Sequence, residues 1–218
     1  MRAPRRTRRA RQRTVRKPRG NLFIVSAPSG AGKTSLCQRL TTVVPNIRHS
    51  VSYTTRPPRK GEVNDRDYTF ASEEEFLRMI ADGDFAEWAK VHGHLYGTSK
   101  KRLEELREAA IDVILDIDTQ GAKEIQTQYS DGVYIFILPP SMDALRERLE
   151  KRMSNSVEEI NLRMKRASEE IKDYKAYDYV IVNSDFSEAL TELKAIVLAE
   201  DKRTSKIDPQ WVKETFKI

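Results

Sequence analysis

The chain contains 218 residues, of which 39 are Lys or Arg and 33 are Asp or Glu, and it has a single cysteine. This length suits one domain with an inserted lobe. A single cysteine excludes a disulfide framework and a zinc site built from cysteines. No segment approaches the ~20 apolar residues of a membrane-spanning helix, so we expect a soluble, cytoplasmic protein without membrane contact.

The positive charge is concentrated at the N-terminus. Residues 1–20 hold ten basic residues and no acidic one, which leaves 29 basic against 33 acidic residues, a net charge of −4, in the rest of the chain. Such a segment buries too little apolar surface to fold alone, and we predict a disordered tail. It is typical of a solvated charge run, of an arm that contacts polyphosphate or nucleic acid, or of a transit-peptide-like leader. The acidic remainder gives nucleic-acid contact no further support.

The first predicted elements are a strand, a loop and a helix. Residues 22–25 form a short apolar run with β-branched and aromatic side chains, which is typical of a buried strand. A loop with two glycines follows. Helical spacing of apolar residues then begins at Lys33 and stops before Pro45.

The pattern changes between residues 51 and 98. Residues 50–70 are polar and strand-like around a loop rich in proline and glycine. Ser72 and Glu75 form a capping-box pattern that opens a helix, and a strand is predicted at 85–89. We interpret residues 51–98 as an inserted α+β lobe.

From residue 99 onward, predicted helices and strands alternate. The helices are placed at about 99–109, 119–128, 141–151, 156–174 and from 185, and the strands at 113–117, 133–138 and 179–182. This alternation indicates an α/β fold with a parallel sheet covered by helices on both faces. We assign residues 21–50 and 99–203 to the core and 204–218 to a polar C-terminal tail. Ligands of such sheets bind at the carboxyl ends of the strands.

The loop after the first strand has the composition of a phosphate-binding loop. Its residues are Ala27, Pro28, Ser29, Gly30, Ala31, Gly32, Lys33 and Thr34, followed by Ser35. The glycines let main-chain N–H groups face a phosphate, and the helix N-terminus adds partial positive charge. Lys33 can reach the outer phosphates, and the Thr34 hydroxyl can bind Mg²⁺. A plain glycine turn is the alternative, but such a turn needs neither residue.

Two arginines on the next loop are suited to bind a second phosphate. Arg56 and Arg59 lie three residues apart and flank Pro57 and Pro58. Guanidinium groups bind phosphate bidentately, and the prolines reduce the entropy lost on binding. Exposed arginines on a solvated loop are the alternative.

Several segments together resemble the guanylate kinases. In chain order they are SAPSGAGKT (26–34), SYTTRPPRKGEVNDRDYTF (52–70), FAEWAKVHGHLYGTS (85–99), ILDIDTQGA (114–122) and YDYVIVNSDF (177–186). The resemblance covers residues 21–203, and the family accepts Ala where this loop begins. It implies a P-loop kinase fold that transfers phosphate from MgATP to GMP, with dGMP as a second acceptor, in purine metabolism and GMP recycling.

The resemblance also implies the residues that bind GMP. By position, the phosphate is held by Arg56, Arg59, Tyr68 and Tyr96, and the guanine is recognised by Ser52, Glu87, Thr98 and Asp118. Guanine presents N1–H and N2–H donors that one carboxylate accepts together. Adenine lacks this pair and would leave a buried carboxylate unpaired. The alternative for Glu87 is a strand residue that faces water.

The remaining expectations concern the metal and a lid. Asp116 ends an apolar strand beside the loop, where it can orient Mg²⁺ through water or act as a partner of another ligand. The resemblance implies a lid at 151–163 in which Arg152 and Arg163 contact the ATP phosphates and complete a catalytic set with Lys33 and Arg56. Arg146 and Arg148, on the preceding helix, are expected to form helix-surface pairs.

Three rival functions have identifiable signatures. A peptide-binding module of the guanylate-kinase-like type would carry a damaged phosphate loop, whereas Lys33, Thr34 and Asp116 are all present. A nucleic-acid-binding protein would depend on the basic tail. A kinase for another nucleoside monophosphate would lack the guanine-recognition residues. The sequence leaves the oligomeric state open.

Overall fold

The structure is a computed structural model that describes residues 19–91, 93–151 and 156–218. The predicted disordered tail lies outside these residues up to position 18. Arg19 and Gly20 belong to the fold: Arg19 pairs with Glu104 at 2.7 Å, and the Gly20 N–H donates to the Arg107 carbonyl at 2.8 Å. The described fold therefore includes these two residues, which the sequence analysis placed in the tail.

The described residues form nine strands and eight α-helices. The strands are β1 (Leu22–Ser26), β2 (Ile47–His49), β3 (Tyr53–Thr54), β4 (Thr69–Phe70), β5 (Phe85–Val91), β6 (His94–Ser99), β7 (Asp112–Asp116), β8 (Val133–Leu138) and β9 (Tyr179–Val182). The helices are α1 (Lys33–Val43), α2 (Glu73–Ala81), α3 (Lys100–Glu108), α4 (Thr119–Gln128), α5 (Met142–Glu150), α6 (Val157–Ile171), α7 (Phe186–Glu200) and α8 (Pro209–Phe216). Short 3-10 turns lie at Lys172–Ala176 and Thr204–Lys206.

The larger sheet of the described chain has five strands, all parallel, in the order β2-β7-β1-β8-β9. The central strand β1 is buried along its whole length. Its side chains alternate, with Phe23 and Val25 in one apolar cluster and Leu22 and Ile24 in another. Helices α1 and α7 contribute to the first cluster, and α3 and α4 to the second. The predicted parallel sheet with helices on both faces is confirmed.

The smaller sheet has four strands in the order β4-β3-β6-β5 and comes from the inserted segment. Helix α2 packs on it through Phe76, whose ring stacks on Phe85 with centroids 4.4 Å apart. Strand β5 lies at the edge of this sheet. Ala86 of β5 is buried in the core cluster shared with α3 and α4, so this residue joins the lobe to the core.

Serine side chains cap the starts of α6 and α2 to different extents. At Ser156 both bonds of a capping box with Glu159 are present, each at 3.2 Å. At Ser72 only one is present, since its hydroxyl accepts from the Glu75 N–H at 3.1 Å and the exposed Glu75 side chain does not return the bond.

The predicted polar tail contains α8, which Asp208 caps. Across the described residues, no helix has the length and apolar character required to span a membrane.

Candidate functional site

The loop between β1 and α1 has the backbone geometry of an anion-binding turn. Gly30 and Gly32 both have φ of +94°, a conformation that other residues adopt only with strain. Gly32 caps α1 without any side-chain hydrogen bond to the first turn. Ser29, Thr34 and Ser35 are exposed, whereas Ala27 and Pro28 are buried behind them. The first turn of α1 therefore has N–H groups without a side-chain cap, which can bind an anion at the helix N-terminus.

Two residues distant in sequence fix this loop from behind. Asn183, just after β9, donates from Nδ2 to the Ala31 carbonyl at 2.7 Å. Arg148 of α5 donates to the Asn183 carbonyl at 2.8 Å. A Cβ on Gly32 would lie 2.5 Å from Asn183 Nδ2, so only glycine allows this contact. The expectation that Arg148 forms a helix-surface pair is wrong, because its guanidinium reaches across to the loop.

Lys33 and Asp116 form a largely buried ion pair at the carboxyl ends of the strands. The Lys33 Nζ lies 2.7 Å from Asp116 Oδ1 and donates to the Ile117 carbonyl at 2.6 Å. Burial would lower the pKa of Lys33, but the charge and hydrogen bond of Asp116, together with weaker effects of Cys37 and Asp118, raise it above its usual value. Burial would raise the pKa of Asp116, but Lys33 and the Thr34 hydroxyl lower it. Asp116 is therefore an anion beside the loop.

Arg56 is held in place by the inserted lobe. It is only 8% exposed, and its guanidinium donates to Glu62 Oε1 at 2.8 Å and lies 5.4 Å from the centre of the Tyr68 ring. The hydrogen bond to Glu62 raises the pKa of Arg56. The second oxygen of Glu62 accepts the Arg59 main-chain N–H at 2.7 Å. Tyr96 packs edge-on against Tyr68, with ring centroids 6.0 Å apart.

Sequence reasoning did not single out Glu62, although it lies in the same segment as both arginines. The only sequence signal for Glu62 is that it is an acidic residue six positions after Arg56. This signal is weak on a solvated loop. Ser52, proposed to contact guanine, is half-buried, and its carbonyl accepts from the Thr69 N–H at 2.9 Å. This bond places Ser52 beside the strand that follows Tyr68.

Glu87 is buried, so the alternative of a water-facing strand residue is wrong. It is 5% exposed, and the Thr98 hydroxyl donates to its Oε1 at 2.6 Å. Burial raises the pKa of Glu87 to about 7, and the nearby Asp118 charge acts in the same direction. Asp118 caps α4 by accepting the Gly121 N–H at Oδ1, 2.8 Å away. A carboxyl group that is buried with one partner has capacity to accept further donors.

The two halves of the site lie within electrostatic range of each other. Burial and then the Asp116 charge raise the pKa of Tyr68, although Tyr68 belongs to the lobe and Asp116 to the core. The Lys33 charge acts to lower the pKa of Glu87, against the larger effect of burial. Arg163 lies half-buried on α6. The other lid arginine, Arg152, lies outside the described residues, as does most of the region before α6.

Comparisons with known proteins show which proteins the chain resembles. A family model described as guanylate kinase matches residues 19–200. The guanylate kinase of Geobacter sulfurreducens is 54% identical over 191 residues, which cover 88% of this chain and 94% of that protein. The guanylate kinase of Legionella pneumophila strain Lens is 49% identical over 187 residues, covering 86% and 90%. The crystal structure of guanylate kinase from Anaplasma phagocytophilum matches with a TM-score of 0.77 at 36% identity, covering 92% of this chain and 97% of that one.

Proposed function

The chain belongs to the guanylate kinase family, whose reaction is the phosphorylation of GMP to GDP with ATP, and we propose how its residues share this work. The two substrates approach from opposite sides of the Lys33–Asp116 pair. The loop side binds the donor, and the lobe side binds the acceptor. This reaction requires positioning and charge neutralisation rather than a covalent enzyme intermediate.

On the donor side, the main-chain N–H groups between Ser29 and Ser35 bind the ATP phosphates, except that of Ala31, which donates to the Pro28 carbonyl at 3.1 Å. The Lys33 Nζ lies 2.7 Å from Asp116 Oδ1. When ATP binds, Lys33 directs its ammonium group to the transferring phosphate. Arg163, with Arg152, then adds positive charge from the lid. This arrangement stabilises the charge that develops on the transferring group.

Asp116 and Thr34 fit the magnesium ion that the family implies. Both supply oxygen atoms, the ligand type that Mg²⁺ prefers, and Asp116 is kept anionic by Lys33. When bound, the ion neutralises negative charge on the donor phosphates. Thr34 is exposed at the start of α1 and is open to a ligand.

On the acceptor side, Arg56, Arg59, Tyr68 and Tyr96 bind the GMP phosphate. Glu62 accepts a hydrogen bond from the Arg56 guanidinium at 2.8 Å, so the guanidinium is oriented before GMP binds. Because the Arg56 side chain is already oriented, less conformational entropy is lost when GMP binds. Ser52, Thr98 and Asp118 complete the base site around Glu87. The burial of Glu87 is the observation that carries the assignment, because an unpaired buried carboxylate penalises every base that lacks two adjacent donors.

A comparison of four acceptors tests the proposed base site. We expect kcat/KM for GMP and dGMP to exceed that for AMP and UMP by about 10³-fold or more, because only guanine satisfies Glu87. Coupled measurement of ADP formation provides the rates, and a reaction with ATP alone measures hydrolysis. Comparable turnover of AMP would contradict the proposed site.

The pH dependence of GMP use provides a second test. With the pKa of Glu87 at about 7, the carboxyl group is mostly protonated at lower pH and cannot accept both guanine donors. We expect KM for GMP to rise by about tenfold per pH unit below pH ~7 and to level off above it. The variant E87Q should raise KM for GMP and flatten this profile, and KM for ATP serves as the control. A wild-type profile that E87Q leaves unchanged would remove Glu87 from the base site.

Three expectations remain predictions. They are the cytoplasmic location, the use of dGMP, and the role of the basic tail, which lies outside the described residues up to position 18. The proposed domain bounds, including the lid at 151–163, have the same standing.

A further inference from the structure

The strand that carries Glu87 contains a β-bulge at Ala86. The pairing of β5 with β6 matches Phe85 to Ser99 and then Glu87 to Thr98, so the register shifts by one residue and Ala86 has no partner on β6. The Ala86 side chain is 1% exposed and lies in the core cluster, while Glu87 bonds to Thr98. A bulge redirects the side chain that follows it. Here it sets the direction of the base-recognising carboxylate.

Three residues on one face of α4 lie against β5 at and beside the bulge. Gln128 donates from Nε2 to the Ala86 carbonyl at 2.8 Å, and Glu124 accepts the Trp88 N–H at 3.2 Å. Gly121 lies beneath Glu87, where a Cβ would be 2.6 Å from Glu87 Oε2. Spacings of three and four place these α4 residues on a single helix face. Since β5 is an edge strand, its outer main-chain groups depend on this helix for partners.

From this arrangement we infer that Gln128 is a positioning residue that determines base specificity without contacting the substrate. Its amide donates to the main-chain carbonyl of Ala86, the residue that has no pairing partner on β6. The bond holds the bulge, and the bulge fixes where the Glu87 carboxylate meets the guanine N2 amino group. This inference rests on the proposed role of Glu87.

Gln128 is more suitable for a test than Glu124. The Gln128 bond is shorter and partly buried, whereas the Glu124 bond is exposed. Glu124 also carries a charge that acts on Glu87, so its removal would change two properties together. Gln128 is neutral and lies about two helical turns from Gly121. Its removal therefore changes the support of the bulge and leaves the local charge unchanged.

The matched variants are Q128M and Q126M. Methionine preserves length and helix propensity but has no donor. Gln126 lies on the same helix, yet its amide donates to the Ala176 carbonyl at 3.1 Å, away from β5. Q128K provides the rescue, because an ammonium group at this position can donate to the Ala86 carbonyl. Q126K adds the same charge to the same helix away from β5 and is the control for that charge. IMP is the discriminating substrate, since hypoxanthine keeps N1–H but lacks the N2 amino group.

We expect Q128M to raise KM for GMP and to lower the GMP:IMP ratio of kcat/KM, each by about fivefold to tenfold, while KM for ATP stays within about twofold. Q126M should match the unmodified chain, and Q128K should recover most of the ratio. Equal GMP:IMP ratios in Q128M and Q126M would overturn the inference. So would a Q128M variant that loses ATP and GMP binding equally, or a Q128K variant no better than Q128M.

Parallel measurement of E87Q separates this inference from the proposed base site. If E87Q leaves the GMP:IMP ratio unchanged, the assignment of Glu87 fails and the inference fails with it. If E87Q collapses the ratio and Q128M does not, the base site stands and only the role of Gln128 is wrong. Thermal unfolding of each variant detects a general loss of structure, and Q128K then supplies the decisive comparison.

Discussion

Replacing Lys33 by Met is expected to lower kcat by about 10³-fold and to destabilise the fold by about 3–5 kcal/mol. The first effect follows because Lys33 is the proposed ligand of the transferring phosphate. The second follows because Asp116, 2.7 Å away and 9% exposed, would remain as an unpaired buried charge. Single-turnover kinetics and chemical denaturation measure the two effects separately.

A double variant distinguishes these two roles of Lys33. K33M/D116N removes the unpaired charge, so it should recover most of the lost stability but none of the activity. K123M is the control, because Lys123 forms an exposed ion pair with Asp173 at 2.9 Å and should change neither property. A K33M variant with unchanged unfolding midpoint, or with a tenth of the original kcat, would contradict the assignment.

Replacing Arg56 by Met is expected to lower kcat/KM for GMP by about 10³-fold and to leave KM for ATP unchanged. Arg56 is 8% exposed and lies against Tyr68, so its charge-assisted bonds to a phosphate form in a partly desolvated site. Because Glu62 is partly solvated and keeps the Arg59 N–H, the fold should lose no more than about 1–3 kcal/mol. Initial-rate kinetics with each substrate varied provide the measurement.

Two further variants define what Arg56 contributes. R56K keeps the charge but loses the planar fork, and it should recover only part of the activity. R66M is the control, since Arg66 lies on the same loop with its guanidinium paired to Asp67 at the surface. An R56K variant equal to the unmodified chain would show that a point charge is enough. An R66M variant as defective as R56M would place the phosphate elsewhere on the loop.

The parts of the site that are local in sequence could be predicted from it. The phosphate loop follows from one strand, two glycines and the start of one helix, all within residues 22–43. Asp116 follows from its position at the end of an apolar strand. These features depend on short-range geometry, for which residue type and spacing are sufficient information.

The parts that depend on distant contacts could not be predicted in the same way. Glu62, Arg148 and Gln128 each act on a residue that only the folded chain brings near them. The bulge at Ala86 leaves no mark on the alternation of residues 85–89. Strand β2 was missed because it has three residues with only Ile47 buried, and α8 was missed because no residue in it is buried.

The contacts that hold the phosphate loop from behind have a consequence for synthesis of the protein. The loop sequence ends by residue 35, but the side chains that hold its shape belong to Arg148 and Asn183. A nascent chain that has left the ribosome only as far as α4 carries the complete motif without its support. The capacity to bind nucleotide therefore arises late in translation, after the last strand of the sheet has emerged.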